Sequence, residues 1–302
     1  MASSKGDGSH SHSYRLLLAC PTGLSRSQVT VDFSSSHDRK PHPDPTIEGS
    51  IEEVWKQRLS SNPSLYNALK FRYGGYATSS PTEESIGATK ICLCLGLTDY
   101  RTFIGTNLSP VWEQFLLPVK DDVEQCKYTS SPLGNGAIVE TIDNFILVLR
   151  RSHSVGEFPG HLVFPGGHSE PEEVGISGHV YTNDKTFTTN LNSKISAEMF
   201  DGIVREVVEE IGVPAQSLSD PIFIGISRRV TNVRPTVFFY IKCSLHSSDI
   251  QGLYSKAKDG YESTHLCIMP KYELGTAASE MPGCHQGGFA LYDLMTKEAK
   301  SR

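Results

Sequence analysis

The segment that most constrains this chain is residues 205–213, which read REVVEEIGV. Its three glutamates, Glu206, Glu209 and Glu210, are three and four residues apart, a spacing that places side chains on one side of an α-helix. The helical periodicity extends back to Ser196, which suits an N-cap, and Gly212 suits the left-handed residue that follows a helix. We therefore predict a helix from Ser196 to residue 211, with an apolar face on a core and an acidic face opposite.

Clustered carboxylates repel one another unless a cation lies between them. Mg²⁺ and Mn²⁺ are hard cations that prefer oxygen ligands and bridge to phosphates, so the acidic face is a candidate site for either ion. A solvated acidic surface is the alternative interpretation of the same residues. Upstream, the apolar run 161–164 leads into Pro165-Gly166-Gly167, a turn that lets backbone approach a ligand closely because glycine has no side chain.

Composition bounds the class of protein. The 302 residues can form two domains of ordinary size, and 38% hydrophobic with 21% charged residues is typical of a globular chain. A net charge of −6 argues against a nucleic-acid partner, because binding a phosphate backbone requires a basic surface. No apolar run approaches the roughly 18 residues of a membrane span, so we expect no membrane partner.

The termini and the cysteines indicate the compartment. Residues 1–13 are rich in Ser, Gly and His and lack the apolar core of a signal peptide, so they predict a disordered tail. The seven cysteines have no metal-binding spacing. We expect buried free thiols, including Cys92 and Cys94 on one face of a strand, and a location in the reducing cytosol.

The order of predicted strands and helices indicates an α/β fold with a domain boundary near Ser130. Residues 14–130 are predicted to form a smaller N-terminal α/β domain, and residues 131–295 a second domain in which Asp143-Asn144 makes a hairpin turn. Residues 174–195 are rich in Gly, Thr and Asn and predict a surface loop inserted in the second domain. We expect deletion of 176–192 to leave folding intact.

The glycines, a following glutamate and the segment 205–213 together resemble the Nudix box, G-x5-E-x7-R-E-U-x-E-E-x-G-U. Residues 205–213 match it at every defined position, whereas its first half is split. Glu173 keeps the spacing from Gly167 but is separated from Arg205 by thirty-one residues rather than seven, and Glu198 is one residue too close. Either glutamate can fill the first position, whose role in the family is to pair with the box arginine.

Other segments are similar to the Nudix subfamily that hydrolyses UDP-glucose and UDP-galactose, above all its plant members. They are 37–41 (HDRKP), 97–101 (LTDYR), 105–107 (GTN), 132–137 (PLGNGA) and 165–168 (PGGH). The resemblance implies an α/β/α sandwich and Mg²⁺-dependent (or Mn²⁺-dependent) cleavage of a nucleoside diphosphate sugar to a nucleoside monophosphate and a sugar 1-phosphate. It also implies the following roles: metal binding for Glu206, Glu209, Glu210 and Gly167; structure for Gly166, Arg205 and Gly212.

The general base is expected either within the box, at Glu209, or in a later loop, at Glu262. Arg228 and Arg234 flank a basic loop and suit bidentate phosphate contacts. We also expect Arg39, Arg101 and Asn107 of the first domain to close over the nucleotide or the sugar. The histidine after the glycines, His168, is interpreted as a turn residue bonded to backbone.

Three functions are compatible with these residues. The first is a metal-dependent UDP-sugar diphosphatase. The second is a Nudix hydrolase of another small molecule, such as ADP-ribose, a dinucleotide or a coenzyme A derivative. The third is a catalytically silent binding module that kept the fold. The sequence does not indicate an oligomeric state.

Overall fold

A computed structural model describes residues 13–79, 89–153, 155, 157–255 and 263–301. The strands in these ranges are β1 (Tyr14–Leu24), β2 (Val29–Phe33), β3 (Leu69–Ser79), β4 (Lys90–Asp99), β5 (Gly134–Thr141), β6 (Phe145–Arg151), β7 (Leu162–Val163), β8 (Ile222–Arg229), β9 (Pro235–Cys243) and β10 (Ser263–Pro270). The α-helices are α1 (Pro45–Ser61), α2 (Tyr100–Gly105), α3 (Asp122–Gln125), α4 (Lys185–Ile211), α5 (Ser247–Tyr254), α6 (Lys271–Ala277) and α7 (Gly283–Ser301).

The described strands form two sheets. The larger sheet has the order β1-β8-β9-β5-β6-β10, with β7 paired to β6. Its strands are antiparallel to their neighbours except for the parallel pair β5 and β9. The smaller sheet has the order β2-β4-β3. The β5–β6 hairpin turns at Asp143-Asn144 as predicted, and Asn144 takes the left-handed conformation that such turns require, with φ +64°.

The larger sheet is covered on both faces. Alternate residues of β5 point to opposite sides: Ala137 and Val139 pack with α4, and Ile138 packs with α6 and α7. Helices on both faces of a mixed sheet make an α/β/α sandwich. The predicted fold class is therefore confirmed.

Helix α4 lies between the two sheets. Its apolar residues Met199, Phe200, Ile203 and Val207 share one core with both sheets. Two polar contacts fix the smaller sheet against it: the Ser196 hydroxyl donates to the Val29 carbonyl over 2.8 Å, and Asn192 Oδ1 accepts from the Phe33 amide over 3.1 Å. The end of α4 is as predicted, with Gly212 at φ +84°.

The predicted start of α4 is wrong. The helix begins at Lys185, where the Asp184 carboxylate caps the amides of Thr186 and Phe187 over 2.8 and 3.2 Å. Half of the predicted loop insertion, 185–195, is therefore helical, and Ser196 is an interior residue. Because Ile176 is also buried, deletion of 176–192 would remove a core residue and part of the helix, so this segment is not simply the surface loop on which the expectation of intact folding is based.

The predicted domain boundaries need three corrections. Strand β1 pairs with β8 of the larger sheet, so the first strand does not belong to a separate N-terminal unit. Ser13 accepts a hydrogen bond at its carbonyl from Val230 over 2.8 Å and is not part of a free tail; residues 1–12 lie outside the described ranges. The C-terminal helix continues past residue 295 to Ser301.

The seven cysteines are free thiols, as expected. Cys92 and Cys94, however, are half-buried, because the other face of β4, with Ile91, Leu93 and Leu95, is the one that joins the core. Among the described helices, none combines the length and the apolarity needed to cross a membrane.

We predict that Asn192→Ala lowers the free energy of unfolding by about 1 kcal/mol, because the Phe33 amide loses its acceptor. The higher helix propensity of alanine offsets part of this loss. Urea unfolding measures the change. Ser193→Ala on the same helix is the control, since Ser193 is exposed and its hydroxyl bonds within the helix. Equal effects of the two substitutions would show that Asn192 does not join α4 to the smaller sheet.

Candidate active site

The glycine turn 165–168 is hydrogen-bonded to the acidic face of α4. The Gly166 amide donates to Glu210 Oε2 over 2.8 Å, and the His168 amide donates to Glu206 Oε1 over 3.3 Å. Glu210 is 8% exposed. Two of the three predicted metal-binding carboxylates thus lie against the turn, and the third, Glu209, is half-buried one residue before Glu210.

Both glycines are required by close approach. At Gly166 φ is +152°, and an added Cβ would lie 2.3 Å from the Asn135 carbonyl oxygen. At Gly167 an added Cβ would lie 2.1 Å from Glu206 Oε1. Asn135, at the start of β5, makes two further hydrogen bonds with the turn. Its side-chain Oδ1 accepts from the Gly167 amide over 2.6 Å, and its backbone amide donates to the Gly167 carbonyl over 3.0 Å. The turn is therefore held between β5 and α4.

Of the two candidates for the first glutamate of the box, Glu198 makes the arginine contact. Arg205 Nη2 donates to Glu198 Oε1 over 2.5 Å, and Glu198 is 8% exposed. Burial raises the pKa of Glu198, and the bond to Arg205 opposes this shift. Glu173 lies in a short 3₁₀ helix, Pro171–Val174, and acts on this pair only through its charge.

A cavity of about 170 Å³ opens beside the glycine turn. Its walls include residues from β5, β6, β8, β9 and the start of α7, and the polar ones that matter here are Asn135, Arg151, Glu157, His168, Arg229, Arg234 and His285. At its centre the Glu157 carboxylate accepts from Arg229 Nη2 and from Arg234 Nη1, each over 2.6 Å. Burial alone would raise the pKa of Glu157, but the charges of Arg234 and Arg229 outweigh it and hold this pKa below its ordinary value.

Two histidines in this cavity are held neutral. Arg234 Nη2 lies 2.6 Å from His168 Nε2, and since a guanidinium can only donate, this ring nitrogen must accept. Burial, followed by the charge of Arg234, holds the pKa of His168 well below its ordinary value. The prediction that the His168 ring bonds to backbone is therefore wrong. His285 Nδ1 accepts from the Phe164 amide over 3.1 Å, and burial with the nearby arginines lowers the pKa of His285 to about 3.

Of the five residues predicted to bind substrate, only Arg234 lines this cavity. Arg39 forms a bidentate ion pair with Glu48, and Arg101 pairs with Glu52 at the surface. Arg228 is 5% exposed and pairs with Asp122.

Asn107, the remaining predicted substrate residue, is fully buried. Its Nδ2 donates to the Asn232 carbonyl over 2.7 Å and its Oδ1 accepts from the Ser131 amide over 3.0 Å. Because the side chain is fully buried and both of its polar atoms bond to the chain, its place in the fold is structural. The predicted base Glu262 lies outside the described residues.

Sequence reasoning missed Asn135, Glu157, Arg229 and His285. Arg228 and Arg229 are neighbours on one strand and point to opposite faces, and the sequence does not show which face borders the cavity. Glu157 lies between β6 and β7, outside any periodic segment, and His285 lies in the first turn of α7, where no sequence pattern marks it as a cavity residue. Asn135 does carry a signal, because it lies between two glycines that precede a buried strand.

Among the described residues, the three potential metal ligands whose ligand atoms all lie within 4.8 Å of one another are Asp32, His37 and Cys94, and not the three glutamates of α4. His37 Nε2 and Asp32 Oδ2 are already hydrogen-bonded at 3.0 Å. This direct bond accounts for their proximity.

Several curated proteins are similar in sequence to most of this chain. "Nudix hydrolase 9" of Arabidopsis thaliana is 59% identical over 288 residues, which cover 95% of this chain and 93% of that protein. The chain belongs to the Nudix hydrolase family. Two mammalian proteins named "Uridine diphosphate glucose pyrophosphatase NUDT22" are 35% (Mus musculus) and 36% (Homo sapiens) identical, covering 84% and 83% of this chain and 80% and 81% of those proteins.

Other comparisons add less. The chain matches no protein-family model. Among solved structures, the MutT protein from Methanosarcina mazei Go1 aligns over 55% of this chain and 94% of that one, at 17% identity and a TM-score of 0.36. The family of this chain is shown by the sequence relatives, which cover 83–95% of its length.

We predict that His285→Gln flattens the pH dependence of stability in acid. The pKa of His285 is near 6.5 in the unfolded chain and about 3 in the folded protein. The contribution of neutral His285 to the free energy of unfolding is therefore fully present above pH 6.5 and is lost as the pH falls toward 3. Glutamine can still accept from the Phe164 amide but does not titrate. Between pH 6 and 4 the slope of the unfolding free energy should fall by up to one bound proton, about 1.4 kcal/mol per pH unit.

Chemical unfolding at a series of pH values measures this slope. His246→Gln is the control, because the His246 side chain is 65% exposed. An unchanged slope in His285→Gln would mean that His285 is not held neutral in the folded protein.

Proposed function

We propose that this Nudix hydrolase cleaves the pyrophosphate bond of a UDP-sugar, such as UDP-glucose or UDP-galactose, to UMP and a sugar 1-phosphate, with Mg²⁺ or Mn²⁺ as the cofactor. The observation that carries the proposal is the pairing of the acidic face of α4 with the glycine turn through Glu210 and Glu206. The choice of a UDP-sugar is supported by the relatives named uridine diphosphate glucose pyrophosphatase.

The chemistry of the ligand atoms at this site suits a hard divalent cation. Their ligand atoms are carboxylate oxygens, on residues spaced to lie on one face of the helix, and Gly167 leaves room beside Glu206 that a Cβ would fill. Glu206, Glu209 and Glu210 would hold the ion. When bound, the ion screens the charge of the diphosphate and lowers the pKa of a bound water.

The chain itself supplies positioning and a base. Glu210 and Glu206 fix the backbone of the glycine turn, and Asn135 holds it from the opposite side. The turn therefore presents backbone to the diphosphate in one conformation before substrate arrives, which avoids reorganisation during the reaction. A carboxylate that accepts the proton of the attacking water completes the site; Glu209 is the candidate within α4, and Glu262 remains the candidate outside it.

A substrate panel tests the proposed reaction. UDP-glucose, ADP-ribose and NADH are offered separately with Mg²⁺, and phosphate is measured after treatment with a phosphatase. We expect turnover of UDP-glucose, loss of activity with EDTA, and recovery with Mg²⁺ or Mn²⁺. Turnover of ADP-ribose or NADH in its place would assign another Nudix substrate, and no turnover with either metal ion would indicate a silent module.

Glu209→Gln and Glu210→Gln should each lower kcat on the order of 100-fold or more, because each removes a charge from the site that stabilises the transition state. Glutamine keeps the size of the side chain, and in Glu210→Gln its carbonyl oxygen can still accept from the Gly166 amide. Glu53→Gln, an exposed position on α1, is the matched control for charge. A variant with near wild-type kcat would remove that residue from the catalytic set.

A further inference from the structure

Two buried hydrogen-bond donors in the cavity beside the glycine turn have no partner. They are Asn135 Nδ2 and Arg234 Nε. Asn135 is 5% exposed, and the orientation of its amide is fixed because the Gly167 amide can only donate and therefore selects Oδ1. A buried donor without an acceptor is unfavourable, because it has lost its hydrogen bonds to water. Asn135 and Arg234 both line this cavity, so a ligand bound there is a candidate to supply the missing acceptors.

The charge of the cavity indicates the kind of acceptor. Arg151, Arg229 and Arg234 line it, whereas Glu157 has the only carboxylate among the lining residues that the structure describes. The described charged side chains that line the cavity are therefore three guanidinium groups and one carboxylate. Arg229 is 2% exposed and Arg234 is 14% exposed at their side chains, so water screens these charges poorly. An anion is the ligand that this surplus favours.

The arginines are held in place for such a ligand. Glu157 accepts from both of them, and Arg229 Nε also donates to Asn232 Oδ1 over 2.5 Å. The Arg234 guanidinium passes over Gly134, where an added Cβ would lie 3.0 Å from Nη2. Its Nη1 donates to Glu157 and its Nη2 to His168, whereas Nε is buried without a hydrogen-bond partner.

We propose that this cavity is a phosphate subsite, in which Asn135 Nδ2 and Arg234 Nε donate to the oxygens of a phosphate group that the substrate carries and that one product retains. The proposal rests on the proposed function and extends it to residues outside the box. Asn135 also contacts Gly167, so the same side chain joins the phosphate to the turn that borders the carboxylates. The phosphate can belong to the nucleotide or to the sugar, and the binding experiment separates these two.

Calorimetric titration of the full chain in EDTA tests the subsite without metal and without turnover. Inorganic phosphate, UMP and glucose 1-phosphate are the probes. We expect wild type to bind inorganic phosphate and the probe whose phosphate enters the cavity. That probe, either UMP or glucose 1-phosphate but not both, should bind more tightly than inorganic phosphate. The tighter of the two identifies which half of the substrate enters the cavity.

Two variants with matched controls decide the assignment. Asn135→Asp keeps the acceptor for the Gly167 amide and replaces the donor by a negative charge, and Arg234→Gln removes the charged donor. Each should raise the Kd of the better probe about tenfold or more, the loss expected for a hydrogen bond to a charged group. Asn144→Asp in the exposed β5–β6 turn and Arg150→Gln, whose side chain is 38% exposed and pairs with Glu280, make the same charge changes outside the cavity and should leave Kd unchanged.

The binding experiment tests the phosphate subsite separately from the proposed hydrolysis of UDP-glucose. Binding that Asn135→Asp and Arg234→Gln both weaken establishes the subsite even if UDP-glucose is not hydrolysed. If wild type binds none of the probes, or if a folded Asn135→Asp protein binds them as wild type does, the subsite is refuted even if UDP-glucose is hydrolysed.

Discussion

The site depends on the hydrogen bond between the Gly166 amide and the Glu210 carboxylate, 2.8 Å long. It joins the acidic face of α4 to the end of the strand that precedes the glycines, and so it sets the distance between the carboxylates and the cavity. Only glycine tolerates this geometry at residue 166, because φ is +152° and a side chain would meet the backbone of Asn135. The polar elements of the site are thus fixed by backbone contacts before any ligand binds.

The same helix organises the rest of the molecule. Its apolar face packs on the larger sheet, and its first half holds the smaller sheet through Asn192 and Ser196. The residues that split the box motif in sequence therefore do not separate its parts in space. They lengthen the helix toward its N-terminus, and Glu198 takes the arginine contact from within the same helix. A motif interrupted in sequence is continuous in structure.

Sequence reasoning was reliable where the pattern is local. The acidic spacing, the glycine after the helix and the glycine turn all act within a few residues, and each was predicted. The start of α4 was missed because residues 185–195 are rich in Thr and Asn, which have low helix propensity; capping by Asp184 and packing against β2 override it. The pairing of β1 with β8, more than two hundred residues later, is a non-local contact that no local pattern reports.

The substrate residues were the least predictable part of the site. Arg39, Arg101, Arg228 and Asn107 have the chemistry to bind a nucleotide sugar, but in the fold each is engaged by other residues of the chain. The arginines of the cavity are Arg151 at the end of β6, Arg229 at the end of β8 and Arg234 just before β9. Arg229 and not Arg228 lines the cavity, because neighbouring residues of a strand point to opposite faces. Charge alone does not distinguish an arginine that supports the fold from one that faces the cavity.

The central claim is that the glutamates of α4 hold a divalent cation against a diphosphate. Titration of Mn²⁺ into the full chain, followed by electron paramagnetic resonance of the free ion in the presence and absence of UMP, tests it most directly. The account predicts saturable uptake by wild type, tighter with UMP, and loss of this uptake in Glu206→Gln. Equal uptake by wild type and Glu206→Gln, or no uptake by either, would contradict it.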